Sequence, residues 1–387
     1  MTDRALSTLS ALKTPYYVCD YALLDRNIST LNAIEQRAGC RVLFSLKSFN
    51  AMGIIDDFAG RISGYSAGSA FEFRHLWESQ AHSRPIISIY QPAFTPDEIM
   101  EYMSGASFVV FNSAEQLTLA QSLLNTLPRE PHANIGVRVN PEVSAVDKEL
   151  YNPCRPRSHL GIKIDELAAL AGRYSGLLIH NMCQSRSASE FCDNLDAIEQ
   201  RLGSILRSDD LSWINLGGGS LFTAPGYAID QVVDRLIAFR RKYALDVYLE
   251  PSEAWVLDTG FLTATVLDIT GTTNKSAILD ISVPAHIPDV LEIPYTPGVS
   301  NGKPAEVSEH SYTLCGSSCM SGDVVGTYEF DTPLGVGSTV TFKDMLPYSI
   351  VKSSFFNGIA KPDLYGIRAN REIKTIKTYT YADYLNA

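Results

Sequence analysis

The chain has 387 residues, of which 45% are hydrophobic and 19% are charged, and its formal net charge is −11. This length exceeds one ordinary core of about 150 residues and accommodates a barrel plus a second domain. The negative charge disfavours nucleic acid and anionic membranes as partners and suits a cationic ligand. The seven scattered cysteines are not typical of a disulfide framework. Cys315 and Cys319 lack the further Cys/His pair that a zinc site needs, so no metal is expected.

The sequence gives no sign of export or membrane insertion. Residues 1–17 lack a basic segment followed by an apolar one, so no secretory signal is predicted. Nowhere does an apolar run approach the roughly 20 residues of a membrane-spanning helix. We therefore expect a soluble, cytoplasmic protein.

Short apolar strands alternate with amphipathic helices over the first two thirds of the chain. A strand at 16–19 precedes a helix over Tyr21–Ala38, in which leucine and isoleucine recur at helical spacing. Eight strands are predicted after it, at 42–46, 62–67, 86–90, 107–111, 134–139, 177–181, 213–216 and 247–250. The helices between them are predicted at 71–80, 96–103, 114–127, 164–174, 189–206 and 229–242. Such alternation favours a parallel sheet.

Eight strand–helix units over roughly 230 residues fit a closed (β/α)8 TIM-like barrel. An open doubly wound sheet is the alternative, but its Gly-x-Gly-x-x-Gly turn is absent after the first strand. Near residue 257 the pattern changes to alternating β-branched runs at 262–269 and 276–283, punctuated by proline and glycine. The prediction is a barrel over 18–257 and a C-terminal β domain over 258–387, with residues 1–17 a candidate source of one further strand.

Polar residues follow several predicted barrel strands at the end where such barrels carry chemistry. Taken alone, each is explained by a solvated charge, a core histidine or a tight turn. Together they describe a reactive amine, an imidazole for a ring face, a carboxylate for a ring nitrogen and backbone N–H groups for a phosphate. That combination predicts a pyridoxal 5′-phosphate site. Its members are Lys47, Ser66, His180, Gly217, Gly218, Gly219 and Glu250.

At these positions the chain resembles the fold-type III pyridoxal-phosphate enzymes, the group of alanine racemase and the ornithine and diaminopimelate decarboxylases. The resemblance spans nearly the whole chain, with the barrel first and the β domain second. It implies that Lys47 is the Schiff-base lysine, that His180 lies against the cofactor ring and that the three glycines bind its phosphate. It also places Glu250 at the pyridine nitrogen. A carboxylate there favours decarboxylation, whereas racemases of this fold carry an arginine.

The β domain contains a second stretch that resembles the family. Gly-Ser-Ser-Cys-Met-Ser-Gly-Asp at 316–323 resembles the decarboxylase pattern Gly-x-x-Cys-(acid)-x-x-Asp. The resemblance implies that Cys319 donates a proton to the substrate carbon from the partner subunit of a homodimer, and that Asp323 faces the far amine of the substrate. Alternatively Cys319 is a small buried hydrophobe, but glycine- and serine-rich loops more often place side chains in sites. Tyr348 resembles the phosphate-contacting tyrosine of the family.

Three departures from the common decarboxylase pattern concern the substrate. The eighth strand ends in Glu-Pro-Ser-Glu at 250–253, where the ornithine, arginine and diaminopimelate decarboxylases carry Glu-Pro-Gly-Arg. An arginine would suit a phosphate or a carboxylate, whereas Glu253 suits a cation. Met320 stands at a usually acidic position. His-Ile-Pro-Asp-Val-Leu-Glu at 286–292 adds Asp289 to a segment that meets the distal end of the substrate elsewhere in the family.

With Glu253, Asp289 and Asp323 as substrate-binding residues, the chain looks most like the carboxynorspermidine/carboxyspermidine decarboxylases, whose Glu-Pro-Gly-Glu-Ala differs here at Ser252. The implied function is decarboxylation of these polyamine precursors to norspermidine and spermidine, with both substrates open. The alternatives are a decarboxylase of diaminopimelate, ornithine or arginine, and a non-catalytic regulator on the same fold. A regulator should have lost Lys47 or Cys319, and both are present.

Overall fold

The computed structural model describes residues 9, 11–80, 82–125, 132–144, 146 and 152–387. Its strands are β1 (Tyr16–Asp20), β2 (Arg41–Ser45), β3 (Gly64–Ala67), β4 (Ile86–Tyr90), β5 (Phe108–Phe111), β6 (Asn134–Asn140), β7 (Ile162–Lys163), β8 (Gly176–Leu178), β9 (Trp213–Asn215), β10 (Asp246–Leu249), β11 (Gly260–Thr270), β12 (Lys275–Leu279), β13 (Gly302–Pro304), β14 (Ser311–Cys315), β15 (Val324–Phe330), β16 (Thr339–Lys343), β17 (Asp363–Ile367) and β18 (Ile373–Lys377). Its α-helices span Tyr21–Ala38, Met52–Ile55, Ala70–Ser79, Pro96–Gly105, Ala114–Leu124, Ala188–Leu202, Ile229–Tyr243, Ser252–Val256, Val283–His286, Asp289–Glu292 and Tyr381–Leu385. Shorter 3₁₀ helices lie at Leu46–Ser48, Asp56–Phe58, Ile164–Leu170, Ile205–Arg207, Ile350–Lys352 and Phe356–Gly358.

The described residues fall into two compact units. The barrel unit comprises Asn27–Lys47 and Asp56–Trp255, and the β unit comprises the described residues of Met1–Arg26, together with Ser48–Ile55 and Val256–Ala387. Relative to the predicted barrel range of 18–257, residues 18–26, 48–55 and 256–257 group with the β unit. None of the helices in the described residues is long and apolar enough to cross a membrane.

In the barrel unit, eight parallel strands close into a ring. They pair in the order β2, β3, β4, β5, β6, β8, β9 and β10, and β10 returns to pair with β2. The predicted (β/α)8 barrel is therefore confirmed. The short β7 extends the ring by pairing with the end of β6.

Aromatic side chains fill the amino-terminal end of the barrel. The ring of Trp213, the first residue of β9, lies 4.7 Å from that of Phe108, the first residue of β5. A β-carbon on Gly176, the first residue of β8, would lie 1.8 Å from Trp213, so only glycine leaves room for the indole. With this end filled by rings, the opposite ends of the strands are left for polar groups.

Side-chain caps fix where several barrel helices begin. Ser69 accepts a hydrogen bond from the Glu72 amide, so the helix predicted from residue 71 begins at Ala70. Thr95 and Glu98 form a reciprocal capping box before the helix Pro96–Gly105. The segment predicted as a helix at 164–174 instead forms the 3₁₀ helix Ile164–Leu170. The helix predicted over 114–127 is described as far as residue 125.

The β unit contains a nine-stranded mixed sheet in the order β13-β15-β14-β12-β11-β1-β17-β18, with β16 paired to β11. The amino-terminal strand β1 lies inside this sheet, antiparallel to β11 and parallel to β17. The strand predicted over 276–283 ends at Leu279. Its last predicted residue, Val283, begins the helix Val283–His286, because Pro284 suits the first turn of a helix and cannot donate to a strand ladder.

Candidate active site

Lys47 follows the carboxyl end of β2, in the 3₁₀ turn Leu46–Ser48. Leu46 and Ser48 are buried, but the Lys47 side chain is exposed. The pKa of Lys47 is lowered, first because the surrounding protein keeps water from part of the amine and second because the Arg138 guanidinium is positive. The negative charges of Glu250 and Glu253 oppose this shift. A lowered pKa enlarges the fraction of neutral amine, which is the form that attacks a carbonyl carbon.

Glu250 follows β10 and is held by hydrogen-bond donors. Asn215 Nδ2 donates to its Oε1 at 2.6 Å. Burial raises the pKa of the Glu250 carboxyl, while hydrogen bonds from Asn215, Ser66 and Ser88 and the charge of Lys47 oppose the shift. Ser66, predicted as a cofactor ligand, therefore bonds to Glu250 in this structure. The donors orient a carboxylate that can hold a proton on a neighbouring ring nitrogen.

His180, two residues after β8, is a neutral imidazole with a defined tautomer. The Gly218 amide donates to its Nδ1 at 3.0 Å, so its own ring proton is on Nε2. Burial, and then the charges of Lys47 and Arg138, lower the pKa of His180 well below its usual value. An uncharged ring fixed in this way is suited to lie flat against an aromatic group.

The glycine turn after β9 has no room for side chains. Gly217 and Gly219 have φ values of +67° and +98°, which favour glycine. A β-carbon at Gly218 would lie 2.2 Å from the Glu250 carbonyl oxygen, and one at Gly219 equally close to the Met182 carbonyl. The turn is therefore tied closely to the backbone that carries the neighbouring polar groups.

Two of the three predicted phosphate-binding amides already have acceptors. Gly217 N–H donates to Asn215 Oδ1 at 2.9 Å, and Gly218 N–H donates to His180. In the part of the chain that the structure describes, no acceptor is recorded for the Gly219 amide. Gly217 and Gly218 thus shape the turn, and Gly219 keeps the donor suited to an anion.

Arg138 and Glu72 are site residues that the sequence analysis missed. Arg138 lies on the buried strand β6, with its guanidinium 4.7 Å from the centre of the Tyr90 ring and Nη2 donating to the His180 carbonyl at 3.3 Å. Glu72 accepts a hydrogen bond from the Gly68 amide at 2.7 Å. Burial raises the pKa of Glu72, while that hydrogen bond and the charge of Lys47 oppose the shift. Arg138 stands alone as a charged residue within an apolar strand, and this unusual position could have marked it as a site residue.

The structure also accounts for Ser252, the departure at the end of the eighth strand. Its hydroxyl donates to the Ser45 carbonyl at 2.6 Å and so connects the exit of β10 to the last residue of β2. Glu253 follows at the start of the helix Ser252–Val256, close enough to raise the pKa of Lys47. A negative charge near the reactive amine is therefore part of the barrel unit.

In the β unit, Asp323 is 3% exposed and both of its carboxylate oxygens accept from backbone amides. Val283 N–H donates to Oδ1 at 2.7 Å, and Ser318 N–H donates to Oδ2 at 3.1 Å. The carboxylate thereby holds the loop 316–323 against the start of the helix Val283–His286. The role of Asp323 at a substrate amine stays a prediction.

Cys319 lies on the loop that Asp323 holds. The Ser317 amide anchors the same loop by donating to the Ile281 carbonyl at 2.8 Å. The Cys319 side chain is exposed, whereas Cys315 at the base of the loop is half-buried. A fixed loop with an exposed thiol suits presentation of Cys319 to a ligand, and the expectation of a small buried hydrophobe does not hold.

Asp289 and Tyr348 also lie in the β unit. Lys352 Nζ is 2.7 Å from Asp289 Oδ1 and 2.5 Å from Glu292 Oε2, and it lies 5.4 Å from the centre of the Tyr348 ring. The Tyr348 backbone is left-handed, with φ of 55°, and its amide donates to the Ser48 carbonyl at 2.8 Å. Asp289 thus already binds an ammonium group, which is supplied by the chain itself.

Comparisons with known proteins agree with this chemistry. The family model described as "Pyridoxal-dependent decarboxylase, C-terminal sheet domain" matches residues 16–345. Carboxyaminopropylagmatine decarboxylase of Synechocystis sp. is 35% identical over 387 residues, covering 98% of this chain and 96% of its own. Carboxynorspermidine/carboxyspermidine decarboxylase of Herminiimonas arsenicoxydans is 32% identical, covering 97% of this chain and 99% of its own. The crystal structure of carboxynorspermidine decarboxylase from Campylobacter jejuni, complexed with norspermidine, has a TM-score of 0.87 at 32% identity and covers 97% of this chain and 100% of that one.

These matches confirm the cofactor that the strand-end residues predicted, and the fold type and reaction class that the family resemblance implied. The coverage of both chains is nearly complete, so the barrel and the β sheet are compared together. The chain belongs to the pyridoxal-dependent decarboxylase family.

Proposed function

We propose that this enzyme decarboxylates carboxynorspermidine or carboxyspermidine, in which an α-amino acid is extended by a secondary amine and a primary amine. The observation that carries the proposal is Glu253, a carboxylate near Lys47 where the common pattern has an arginine. A negative group there suits a polycation. The names of the relatives, and the norspermidine bound in the structure from Campylobacter jejuni, support the same substrate class.

The barrel unit has a matching group for each part of pyridoxal 5′-phosphate. The amine of Lys47 would hold the aldehyde carbon, Glu250 the ring nitrogen, His180 one ring face and the Gly219 amide the phosphate. The buried carboxylate and the amide for which no acceptor is recorded are the observations that test this fit. When bound, the cofactor supplies an electron sink for the pair left by departing CO₂.

The residues of the chain perform the proton steps. The surrounding protein and Arg138 favour neutral Lys47, which is ready to act as a nucleophile and later to accept or return a proton. We assign to the exposed Cys319 thiol the proton that replaces CO₂ on the substrate carbon. Cys319 would be supplied by the partner subunit of a homodimer, and Tyr348 would contact the phosphate, as the family resemblance implies.

Carboxylates would bind the remaining amines of the substrate. Glu253 contributes one negative charge in the barrel unit, and Asp289 contributes another in the β unit. An ammonium group paired with a carboxylate forms a charge-assisted hydrogen bond, which is stronger than a neutral one. Amine number and spacing, rather than the α-amino acid end alone, would then select the substrate.

The relative from Synechocystis sp. favours carboxyaminopropylagmatine as a second candidate. All three compounds share a 3-amino-3-carboxypropyl group on a secondary amine. Their far ends differ, because two carry an ammonium group and the third carries a guanidinium. A guanidinium binds carboxylates through two parallel hydrogen bonds, whereas an ammonium acts as a point charge. The far end of the substrate therefore discriminates between the candidates.

A CO₂-release panel tests the proposed function. The holoenzyme is assayed with carboxynorspermidine, carboxyspermidine, carboxyaminopropylagmatine, diaminopimelate, ornithine and arginine. We expect kcat/KM for at least one of the first three compounds to exceed the values for diaminopimelate, ornithine and arginine by about tenfold or more. Tenfold is a difference of about 1.4 kcal/mol in transition-state binding. The Lys47→Ala variant should lack both turnover and the visible absorbance of bound cofactor. Preference for a small diamino acid would overturn the proposal.

A further inference from the structure

A group of side chains in the β unit forms a complete site for an alkylammonium ion, and Lys352 fills it. The Lys352 ammonium contacts the carboxylates of Asp289 and Glu292 at 2.7 and 2.5 Å. It also lies 5.4 Å from the centre of the Tyr348 ring, within the range of a cation–π interaction. Two carboxylates and an aromatic ring are the groups that bind an ammonium ligand in a protein.

We propose that Lys352 is an internal competitor for this site. In the free enzyme its ammonium occupies the position that an ammonium group of the polyamine takes when the ligand binds. Lys352 thereby lowers the affinity of the site for polyamines. It favours ligands that carry more than one positive charge and can displace its ammonium group. The identity of the ligand rests on the proposed function, whereas the site itself rests on the contacts within the β unit.

The exposures of the three charged residues suit such an exchange. Asp289 is 9% exposed at its side chain and forms the fixed part of the site, while Glu292 is 54% exposed. Lys352 is 31% exposed and has a flexible four-carbon stem at the end of the 3₁₀ helix Ile350–Lys352. The Lys352–Glu292 pair is open to solvent and contributes little net stability. An incoming ammonium group would replace the Lys352 charge beside the buried Asp289, so that carboxylate keeps a cationic partner.

The charge of the group also favours a polycation. Burial alone would lower the pKa of Lys352, but its hydrogen bonds to Asp289 and Glu292 raise it above the usual value. The lysine is therefore charged at neutral pH, and the two carboxylates leave one negative charge in excess. Removing the lysine charge would make the group more negative by one charge.

A purely structural lysine makes the opposite prediction. In that case Lys352 pins its 3₁₀ helix to the helix Asp289–Glu292, and removing it would displace the carboxylates and weaken polyamine binding. The direction of the change in polyamine affinity therefore distinguishes a competing lysine from a structural one.

The experiment compares Lys352→Met with wild type by calorimetric titration of the holoenzyme with norspermidine. Methionine keeps the length of the apolar stem and removes the charge. We expect norspermidine to bind about fivefold more tightly to the variant, with a steeper dependence on salt. In turnover, KM should fall while kcat is unchanged, and Lys352→Arg should behave like wild type. Lys352→Gln replaces the methionine variant if that variant does not fold.

Lys361→Met is the matched control, because Lys361 also lies over aromatic rings, 5.1 Å from the centre of Phe355. It should leave norspermidine affinity unchanged. Equal or weaker binding by Lys352→Met, with a neutral control, would overturn the inference. If wild type does not decarboxylate any of the long polyamine precursors but the variant still binds norspermidine more tightly, the proposed function fails and the competitor stands.

Discussion

The two units build their candidate site residues in different ways. In the barrel unit, several polar groups are held by the backbone or by another site residue, as Asn215 shows by bonding both the Gly217 amide and Glu250. In the β unit, Cys319 lies on a loop, and Asp289 and Lys352 pair across one-turn helices. The first arrangement is fixed by close backbone approach, and the second depends on side chains that solvent can reach.

This difference bears on which residues can vary with the substrate. A side chain at any of the three glycines would collide with His180, Glu250 or Met182, so that turn admits little variation. Residues on short exposed elements tolerate substitution far better. Relatives named for different amines are nevertheless similar to this chain over nearly their whole length. We infer that the barrel unit supplies most of the shared chemistry, to which the β unit adds Cys319, and that variation in the amine is accommodated by side chains such as Asp289.

The largest expected effect tests whether the β unit contributes chemistry as well as binding. Cys319→Ala should lower kcat by about 10²- to 10⁴-fold, the range for loss of a general acid, because the substrate carbon loses its proton donor. Cofactor absorbance should remain. Steady-state CO₂ release measures the change, and Cys315→Ala in the same segment is the control. Undiminished turnover in Cys319→Ala would assign all of the chemistry to the barrel unit.

A smaller effect is expected from the one carboxylate that the barrel unit contributes to substrate choice. Glu253→Arg should raise KM for carboxynorspermidine by about tenfold or more, since a cation replaces an anion near the ligand. Glu253→Gln should have a smaller effect in the same direction. The dissociation constant of pyridoxal phosphate is measured in parallel. If cofactor affinity falls as much as substrate affinity, Glu253 supports the barrel and does not select the amine.

The smallest effect concerns the electrostatic setting of Lys47. Arg138 is one of the causes that lower the pKa of Lys47, so Arg138→Met should raise it. At neutral pH less of the amine is then neutral, and the pH midpoint of cofactor loading moves upward. Loading is followed by visible absorbance after pyridoxal phosphate is added to apoenzyme. Arg138→Lys keeps a charge and should shift less, while an unchanged midpoint in Arg138→Met would remove Arg138 from this role.

Much of the fold was predictable because buried parallel strands are short apolar runs separated by amphipathic helices. The helix Tyr21–Ala38 and the strand Ile86–Tyr90 were predicted with their observed bounds. The predictions were wrong where local backbone geometry determines the type or the end of an element. Ile164–Leu170 forms a tighter helix than predicted, and a proline turned the end of a predicted strand into the helix Val283–His286.

The site was predictable where residue type and strand end coincide, as for Lys47 and Glu250. Sequence could not show that two of the three glycine amides are already bonded, because their acceptors come from other strands. For Asp323, the sequence could not show that backbone amides of two separate segments donate to its carboxylate. Pairings such as these depend on tertiary contacts that no spacing in the sequence records.

The distribution of cysteines provides a probe for each unit. Cys183 in the barrel unit and Cys319 in the β unit are exposed, whereas Cys19, Cys40 and Cys192 are buried. Thiol reagents react with accessible thiolates, so these two positions should be labelled ahead of the buried ones. Protection of each by cofactor or polyamine can then be followed separately by mass spectrometry. An electrophile carried on a polyamine would direct covalent inhibition to Cys319.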